Sequence, residues 1–326
     1  MRSPTQQSLT VDDVARHVLA ALGTDVTVVE SAELTGGTFA AVWGVTLGDG
    51  RRCVLKVGPP PGARLLRYEH GLIAAEASYF ALVRSRLPGV PVPGVLHHAD
   101  GRLLTTRLPG RPLADLPDEP FDDAPVRREL GAVAARLHTV TGDRFGWTGP
   151  RPAAATWPDA FAAMIDALLA DAADWEVTLP VSPQRFRELV AAGHGALAEV
   201  TRPALLHFDL WDGNVLATVD GAGRATLTGV VDGERYLYGD PLLDLVSAAL
   251  FRRIEDEPSH PFLLGYAAAA GLALPLDDAA RTRLALYRAH LYLLMLAEGP
   301  SRGLTGDTSR EHWLGGLLRA ELAALA

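Results

Sequence analysis

The segment Leu205-Leu206-His207-Phe208-Asp209-Leu210-Trp211-Asp212-Gly213-Asn214-Val215-Leu216 sets a polar loop between apolar flanks. Asp209 and Asn214 stand five positions apart, and a further acid, Asp232, closes the apolar run Thr228-Gly229-Val230-Val231. An aspartate, an amide and a second aspartate in this order are the groups that phosphoryl transfer to an alcohol requires. One carboxylate accepts the proton of the attacking hydroxyl, while a carboxylate and an amide oxygen hold magnesium on the phosphates. Asp209 suits the first task, and Asn214 with Asp232 the second. The bland alternative makes all of them turn residues between strands. HxDxxxxN alone is a weak signal; its conjunction with Asp232 favours the chemical reading.

The N-terminal half supplies what that chemistry lacks. Leu34-Thr35-Gly36-Gly37-Thr38-Phe39 lies between two strand-like runs, where Gly36, Gly37 and Thr38 can present backbone N–H groups to phosphates. Lys56 sits in the apolar run Cys53-Val54-Leu55-Lys56-Val57, where burying its ammonium is costly unless an acid pairs with it. Leu72, Glu76, Tyr79, Phe80 and Val83 share one helical face, so Glu76 stands inside an apolar stripe and needs a cation. Glu69, two helical turns earlier, competes for Lys56, but Glu76 has apolar neighbours on both sides along the face.

The elements that must hold these residues follow from local pattern. Thr10 and Asp13 form a capping signal for a helix through Val14, Val18 and Leu22 that ends at Gly23. From Val26 to Val57, Val/Thr/Trp-rich runs broken at Gly36-Gly37 and Asp49-Gly50 predict three antiparallel strands, with Lys56 on the third. A helix is expected over Tyr68 to Val83, then strands near Val95–His98 and Leu103–Thr106. Leu108-Pro109-Gly110 reads as a linker. Beyond it helices dominate, carrying Leu130/Leu137, Phe161/Leu168, Leu284/Leu294 and Trp313/Leu322, interrupted by a strand-and-loop insert from Leu205 to Val231. The expected fold class is therefore α+β in two lobes: an antiparallel sheet with one helix over 1–107, and a mostly helical lobe over 108–326.

Bulk properties narrow the function. A chain of 326 residues exceeds what one small core needs, in keeping with two lobes. A formal net charge of −9 argues against general binding to nucleic acid or anionic membrane. The lone Cys53 can form neither an internal disulfide nor a zinc cluster. The opening residues lack the apolar core of a signal peptide, and no apolar run approaches the ~18 residues that span a bilayer, so a cytoplasmic location is expected.

HxDxxxxN followed by an aspartate after an apolar strand resembles the catalytic and metal loops of the aminoglycoside phosphotransferase family, relatives of protein kinases. The resemblance covers roughly residues 30 to 250. It implies a protein-kinase-like bilobal fold and an ATP- and Mg²⁺-dependent transfer to a hydroxyl of a small molecule. It also implies a Lys56–Glu76 ion pair and a hinge at Thr105-Thr106-Arg107-Leu108, where the C=O of Thr106 and the N–H of Leu108 would meet adenine. Tyr238-Gly239-Asp240-Pro241-Leu242-Leu243-Asp244-Leu245 resembles the family's GDP…DL segment; Asp240 and Asp244 are read as structural, Asp240 capping a helix from Pro241. His207 is likewise read as structural.

The departures are informative. Phe208 stands where switchable protein kinases carry an arginine, and Gly233 where they carry the phenylalanine of DFG, so a phosphorylation switch is not expected. Trp211 stands where protein kinases place a lysine, so charge on the transferred group must be met by Lys56, by magnesium or by an arginine outside the motif. Trp211 could instead line the acceptor site, where its face suits a ring or a cation. Glu234 beside the metal strand is a further candidate for holding a cationic acceptor; the acids Asp159, Asp166, Asp171, Asp174 and Glu176 are weaker ones, since acids on the polar face of a surface helix are usually just solvated. The acceptor is an antibiotic in one reading. In another it is a metabolite such as an amino alcohol, sugar or nucleoside. A third reading, an inactive nucleotide-binding module, is opposed by the complete set Lys56, Asp209, Asn214 and Asp232.

Overall fold

The structure, a computed structural model, describes residues 2–116, 121–304, 306 and 308–325. Helix α1 (Val11–Leu22) begins at a capping box in which Thr10 and Asp13 bond each other's backbone N–H groups. Strands β1 (Val28–Glu33), β2 (Ala41–Leu47), β3 (Arg52–Val57), β4 (Val95–Ala99) and β5 (Arg102–Thr106) form one antiparallel sheet in the order β1-β2-β3-β5-β4. Alternation along β3 sends Cys53, Leu55 and Val57 to one face, where they pack with Trp43, Val45, Leu104 and with Val14 and Val18 of α1. Lys56 consequently points to the opposite face, between its sheet partners Val42 and Leu103. That face is covered by α2 (Leu72–Arg86).

The sequence pattern places the start of α2 at Tyr68, but Gly71 adopts φ +80° at its N-cap and breaks the run. Arg67–Glu69 forms a separate 3₁₀ turn, and the helix proper starts at Leu72. Because α2 is wedged between the sheet and the second lobe, it is buried nearly all round, from Leu72 to Val83.

Beyond β5 the chain builds the helical lobe from α3 (Ala124–Leu137), α4 (Trp157–Asp174), α5 (Pro183–Ala192), α6 (His194–Ala198), α7 (Leu242–Ala248), α8 (Pro261–Ala270), α9 (Asp278–Ser301) and α10 (Thr308–Ala324). The insert consists of strand Ala204–Leu206 and the hairpin Val215–Val219/Ala225–Val230, so the catalytic-loop residues connect two strand ends. Asp240 Oδ1 accepts from the N–H of Leu242 at 3.1 Å, a cap one residue later than Pro241 suggested. Helices α5, α6 and α8 lie outside the expected elements, although Ser182 and Pro183 give α5 an N-cap and first-turn proline signal. Among the described residues no helix is long and apolar enough to cross a membrane.

Candidate active site

The loop after Ala204–Leu206 is held from beneath by α7. The Asp244 carboxylate, fully buried, accepts from the backbone N–H groups of His207 (3.1 Å) and Phe208 (2.6 Å) and bonds His138 Nε2 (3.0 Å). Ser247 Oγ accepts from the N–H of Leu210 at 3.0 Å. His207 donates from Nε2 to the Val231 carbonyl (3.0 Å) and accepts at Nδ1 from the N–H of Asp209 (3.2 Å), so its neutral ring ties the two chemical loops together. Burial lowers its pKa and favours that neutral form.

Two residues here adopt left-handed backbone conformations that side chains disfavour, Phe208 (φ +67°) and Asp232 (φ +61°). Each costs about 1–3 kcal/mol and persists only where surroundings impose it. At Phe208 the imposing contacts are Asp244 below and a buried ring packed on His290 (5.5 Å between centroids) and Trp147 (6.5 Å). The side chain that replaces the kinase arginine is thus a core plug, closed off from any phosphate.

Asn214 donates from Nδ2 to the Asp209 carbonyl at 2.9 Å, an orientation that leaves Oδ1 available as an oxygen ligand. Its own carbonyl accepts from the N–H of Val231 at 3.0 Å, which fixes Asn214 beside Asp232. Across the cleft, Lys56 Nζ bonds both oxygens of Glu76 at 2.8 Å, contacts Asp232 directly, and lies 3.8 Å from Glu234 Oε2. Burial opposes the charge on Lys56, but Asp232, Glu76 and Glu234 outweigh it and hold its pKa well above the usual lysine value. Burial likewise opposes ionisation of Asp232, yet Lys56 keeps its carboxyl below the usual range. Glu76 is pushed up by burial, with Lys56 pulling against that and Asp232 and Glu234 adding to it. Three acids therefore crowd one ammonium.

The competing acid Glu69 goes elsewhere: it pairs with Arg302 at the end of α9. Glu234, expected against the acceptor, instead turns its carboxylate to the Lys56–Asp232 pair, while its carbonyl accepts from Arg151 (3.2 Å). Of the helical-lobe acids, Asp159 bonds the N-cap Thr156, Asp166 pairs with Arg187 at 2.6 Å, and Asp171 and Asp174 share Arg67. These pairs are solvent-exposed except at the buried Asp171, and Glu176 is exposed just past the helix end.

Gly36 (φ +121°) and Gly37 meet nothing within 4 Å of an added Cβ, so the loop is open at both positions. At the hinge, Thr106 exchanges two bonds with Gly94: its N–H donates to the Gly94 carbonyl and its Oγ1 accepts from the Gly94 N–H, both at 2.8 Å. Leu108 lays its side chain on Gly229, where an added Cβ would lie 2.5 Å from Leu108 Cδ1. Trp211 is partly exposed and its indole lies on Gly213, where an added Cβ would come within 2.2 Å of the ring.

The sequence motifs missed Arg235. Its Nε is buried without a hydrogen-bond partner, 3.9 Å from Asp209 Oδ2, and Nη2 bonds Glu298 at 2.7 Å. Burial raises the Asp209 pKa, with Arg235 and His207 opposing it. The available signal was its place three residues after Asp232 in the same loop.

Gly233 explains the missing DFG phenylalanine. The Tyr79 ring of α2 fills that space: an added Cβ would lie 2.1 Å from Tyr79 Cδ1, in a ring that stacks edge-on to His207 (5.3 Å between centroids). Gly233→Ala is expected to lower stability by about 1–3 kcal/mol through overpacking. Gly316→Ala, inside α10 where a Cβ meets nothing within 4 Å, should raise stability by about 0.5–1 kcal/mol. Urea unfolding of the two variants checks this; equal midpoints would show that Tyr79 does not define the site.

A lysine–glutamate pair bridging sheet and helix, facing an aspartate–asparagine loop and a second aspartate, defines a protein-kinase-like phosphotransferase fold and cleft. The chain belongs to the phosphotransferase enzyme family APH, whose model matches residues 31–287. Among solved structures it is similar to a protein assigned as a fructosamine-3-kinase from Thermobifida fusca YX-ER1 (24% identity, 96% of this chain and 100% of that one, TM-score 0.69). It is also similar to macrolide 2′-phosphotransferase MphH from Brachybacterium faecium (21%, 94% and 98%, 0.61). A third likeness is to aminoglycoside phosphotransferase APH(4)-Ia in ternary complex with AMP-PNP and hygromycin B (19%, 95% and 98%, 0.61). A search of curated protein sequences returns no match.

Proposed function

We propose that this protein transfers the γ-phosphoryl group of ATP to a hydroxyl of a small molecule. The carrying observation is the convergence of Lys56, Glu76, Asp209, Asn214 and Asp232 on one cleft between the lobes. Residues 1–107 act as the nucleotide lobe and 108–326 as the catalytic and acceptor lobe. Asp209 orients the acceptor hydroxyl and takes its proton. Lys56, positioned by Glu76, grips the nucleotide phosphates under the loop Gly36-Gly37-Thr38, and Thr106 and Leu108 meet the adenine edge.

The donor set fits magnesium: Asp232 and the Oδ1 of Asn214 are hard oxygen ligands, and magnesium commonly takes only one or two protein ligands beside phosphate oxygens and water. Magnesium, when bound, neutralises the phosphates and fixes their geometry. Lys56 would hold the phosphate oxygens of the nucleotide, and Asp232 with Asn214 would hold the metal. Arg235, beside Asp209, supplies the positive charge that Trp211 cannot. Glu234 belongs to the nucleotide side of the cleft.

For the acceptor, the relatives span macrolide, aminoglycoside and fructosamine kinases by name. The first reading is an antibiotic kinase, and the second a metabolite kinase acting on an amino alcohol, sugar or nucleoside. With the acids of α4 bonded to local partners, Trp211 is the strongest remaining candidate for acceptor contact, which favours an acceptor with a ring or apolar face over a bare polyamine. The test is ADP release with Mg-ATP over a panel of macrolides, aminoglycosides, ketosamines, nucleosides and amino alcohols. At least one hydroxylated acceptor is expected to raise ADP release well above the rate without acceptor. Nucleotide binding with no stimulation by any class would favour the inactive-module reading.

A further inference from the structure

The end of α9 makes an unusual set of contacts. Arg302, buried just beyond it, pairs with Glu69 of the N-terminal lobe and lies 3.5 Å from Glu298 Oε1. Its guanidinium also sits 5.3 Å from the ring centroid of Phe39, the residue that follows Gly36-Gly37-Thr38. Glu298 accepts from Tyr68 and from Arg235, and Arg235 faces Asp209. Charges of alternating sign thus run from Glu69 through Arg302, Glu298 and Arg235 to Asp209. The phosphate loop is fastened to the same place a second time by the N-terminal segment. Thr5 Oγ1 donates to the Thr38 carbonyl (3.0 Å) and Gln6 Nε2 to those of Gly37 (3.0 Å) and Ala40 (3.1 Å), while Ser3 Oγ donates to the Ser301 carbonyl (3.5 Å).

We propose that Arg302 is a positioning residue that couples the phosphate loop to the catalytic loop. It touches neither nucleotide phosphates nor acceptor in this account. It acts on the loop through Phe39, and on Asp209 through Glu298 and Arg235. The physical reason is charge accounting in a buried space. Glu298 is shared by two arginines and a tyrosine, so neither arginine is held by it alone. Without Arg302, Glu298 falls back on its direct bond to Arg235, with Arg310 the other positive charge acting on it, and draws Arg235 from Asp209, while Phe39 loses the cation beneath its ring. A partner removed from a buried charge pair leaves the remaining charge uncompensated, so the neighbours must move.

The inference rests on the phosphotransfer reading, and two separable effects test it. Phe39→Leu should raise the ATP KM, by about two- to thirtyfold, the range of a cation–π contact, with kcat close to wild type. Arg302→Ala should raise the ATP KM similarly and also lower kcat by up to about 10²-fold, as displaced catalytic groups do. Arg302→Lys keeps the charge facing Glu298 but lacks the planar face, so it should recover most of the kcat and little of the KM. Slow ATP hydrolysis by water serves as the assay whatever the natural acceptor, with circular dichroism to confirm folding. If Arg302→Ala does not fold, the KM-only effect in Phe39→Leu and Arg302→Lys carries the test. Unchanged kcat and KM in these folded variants, or equal loss of kcat in Arg302→Lys and Arg302→Ala, overturns the coupling role. A wild-type protein that does not bind ATP overturns the phosphotransfer reading itself, and the coupling role with it.

Discussion

Asp232→Ala is expected to lose essentially all turnover, by at least about 10³-fold, the upper range for removing one preorganised electrostatic group from a reaction site. The expectation exceeds that of a single hydrogen bond because Asp232 is tied to two groups of the site. It follows Val231, whose N–H bonds the Asn214 carbonyl, and with Glu76 and Glu234 it keeps Lys56 charged. Its backbone at φ +61° shows that the fold holds this one carboxylate in place against local preference. Steady-state kinetics over a magnesium titration checks it. A near-native rate at saturating magnesium would show that the metal is held elsewhere.

Asp209→Asn separates chemistry from binding. General-base help is worth about 10²–10⁴-fold, and kcat should fall by that order. The change keeps size and shape, and the backbone of the loop is fixed independently by Asp244, Ser247 and His207, so the fold and the nucleotide site should survive. Calorimetry should therefore find ATP binding close to wild type. Equal loss of ATP affinity would assign Asp209 to the metal or to structure.

Much of this arrangement was legible because it is local. The capping pair Thr10/Asp13, the Asp49-Gly50 hairpin and the alternation along β3 each act within a few residues, and alternation alone turns Lys56 away from α1 and towards α2. The choice of Glu76 over Glu69 was also readable, since only Glu76 lies inside the stripe. What was not legible depends on chain segments far apart. Arg302 meets Glu69 across 233 positions, and Arg235 meets Glu298 across 63, so no window of sequence shows either pair. The role of Gly233 was visible only as an absence until Tyr79 was found in the space. The acids of α4 looked available for a cation because the arginines that occupy them, Arg67 and Arg187, come from other elements. The direction of Glu234, towards Lys56, is set by the 3₁₀ turn Gly233–Arg235 after Asp232, which its position in the sequence did not show.

The central claim is transfer of phosphate from ATP to a carbon-bound hydroxyl. The most direct measurement is ³¹P NMR of the wild-type protein with Mg-ATP and the acceptor that most stimulates ADP release. The expected result is a phosphomonoester resonance coupled to a carbon-bound proton of the acceptor, accounting for the acceptor-stimulated ADP and forming at least about 10²-fold more slowly with Asp209→Asn. ADP accompanied only by inorganic phosphate, or the same ester formed at the same rate by Asp209→Asn, would contradict it.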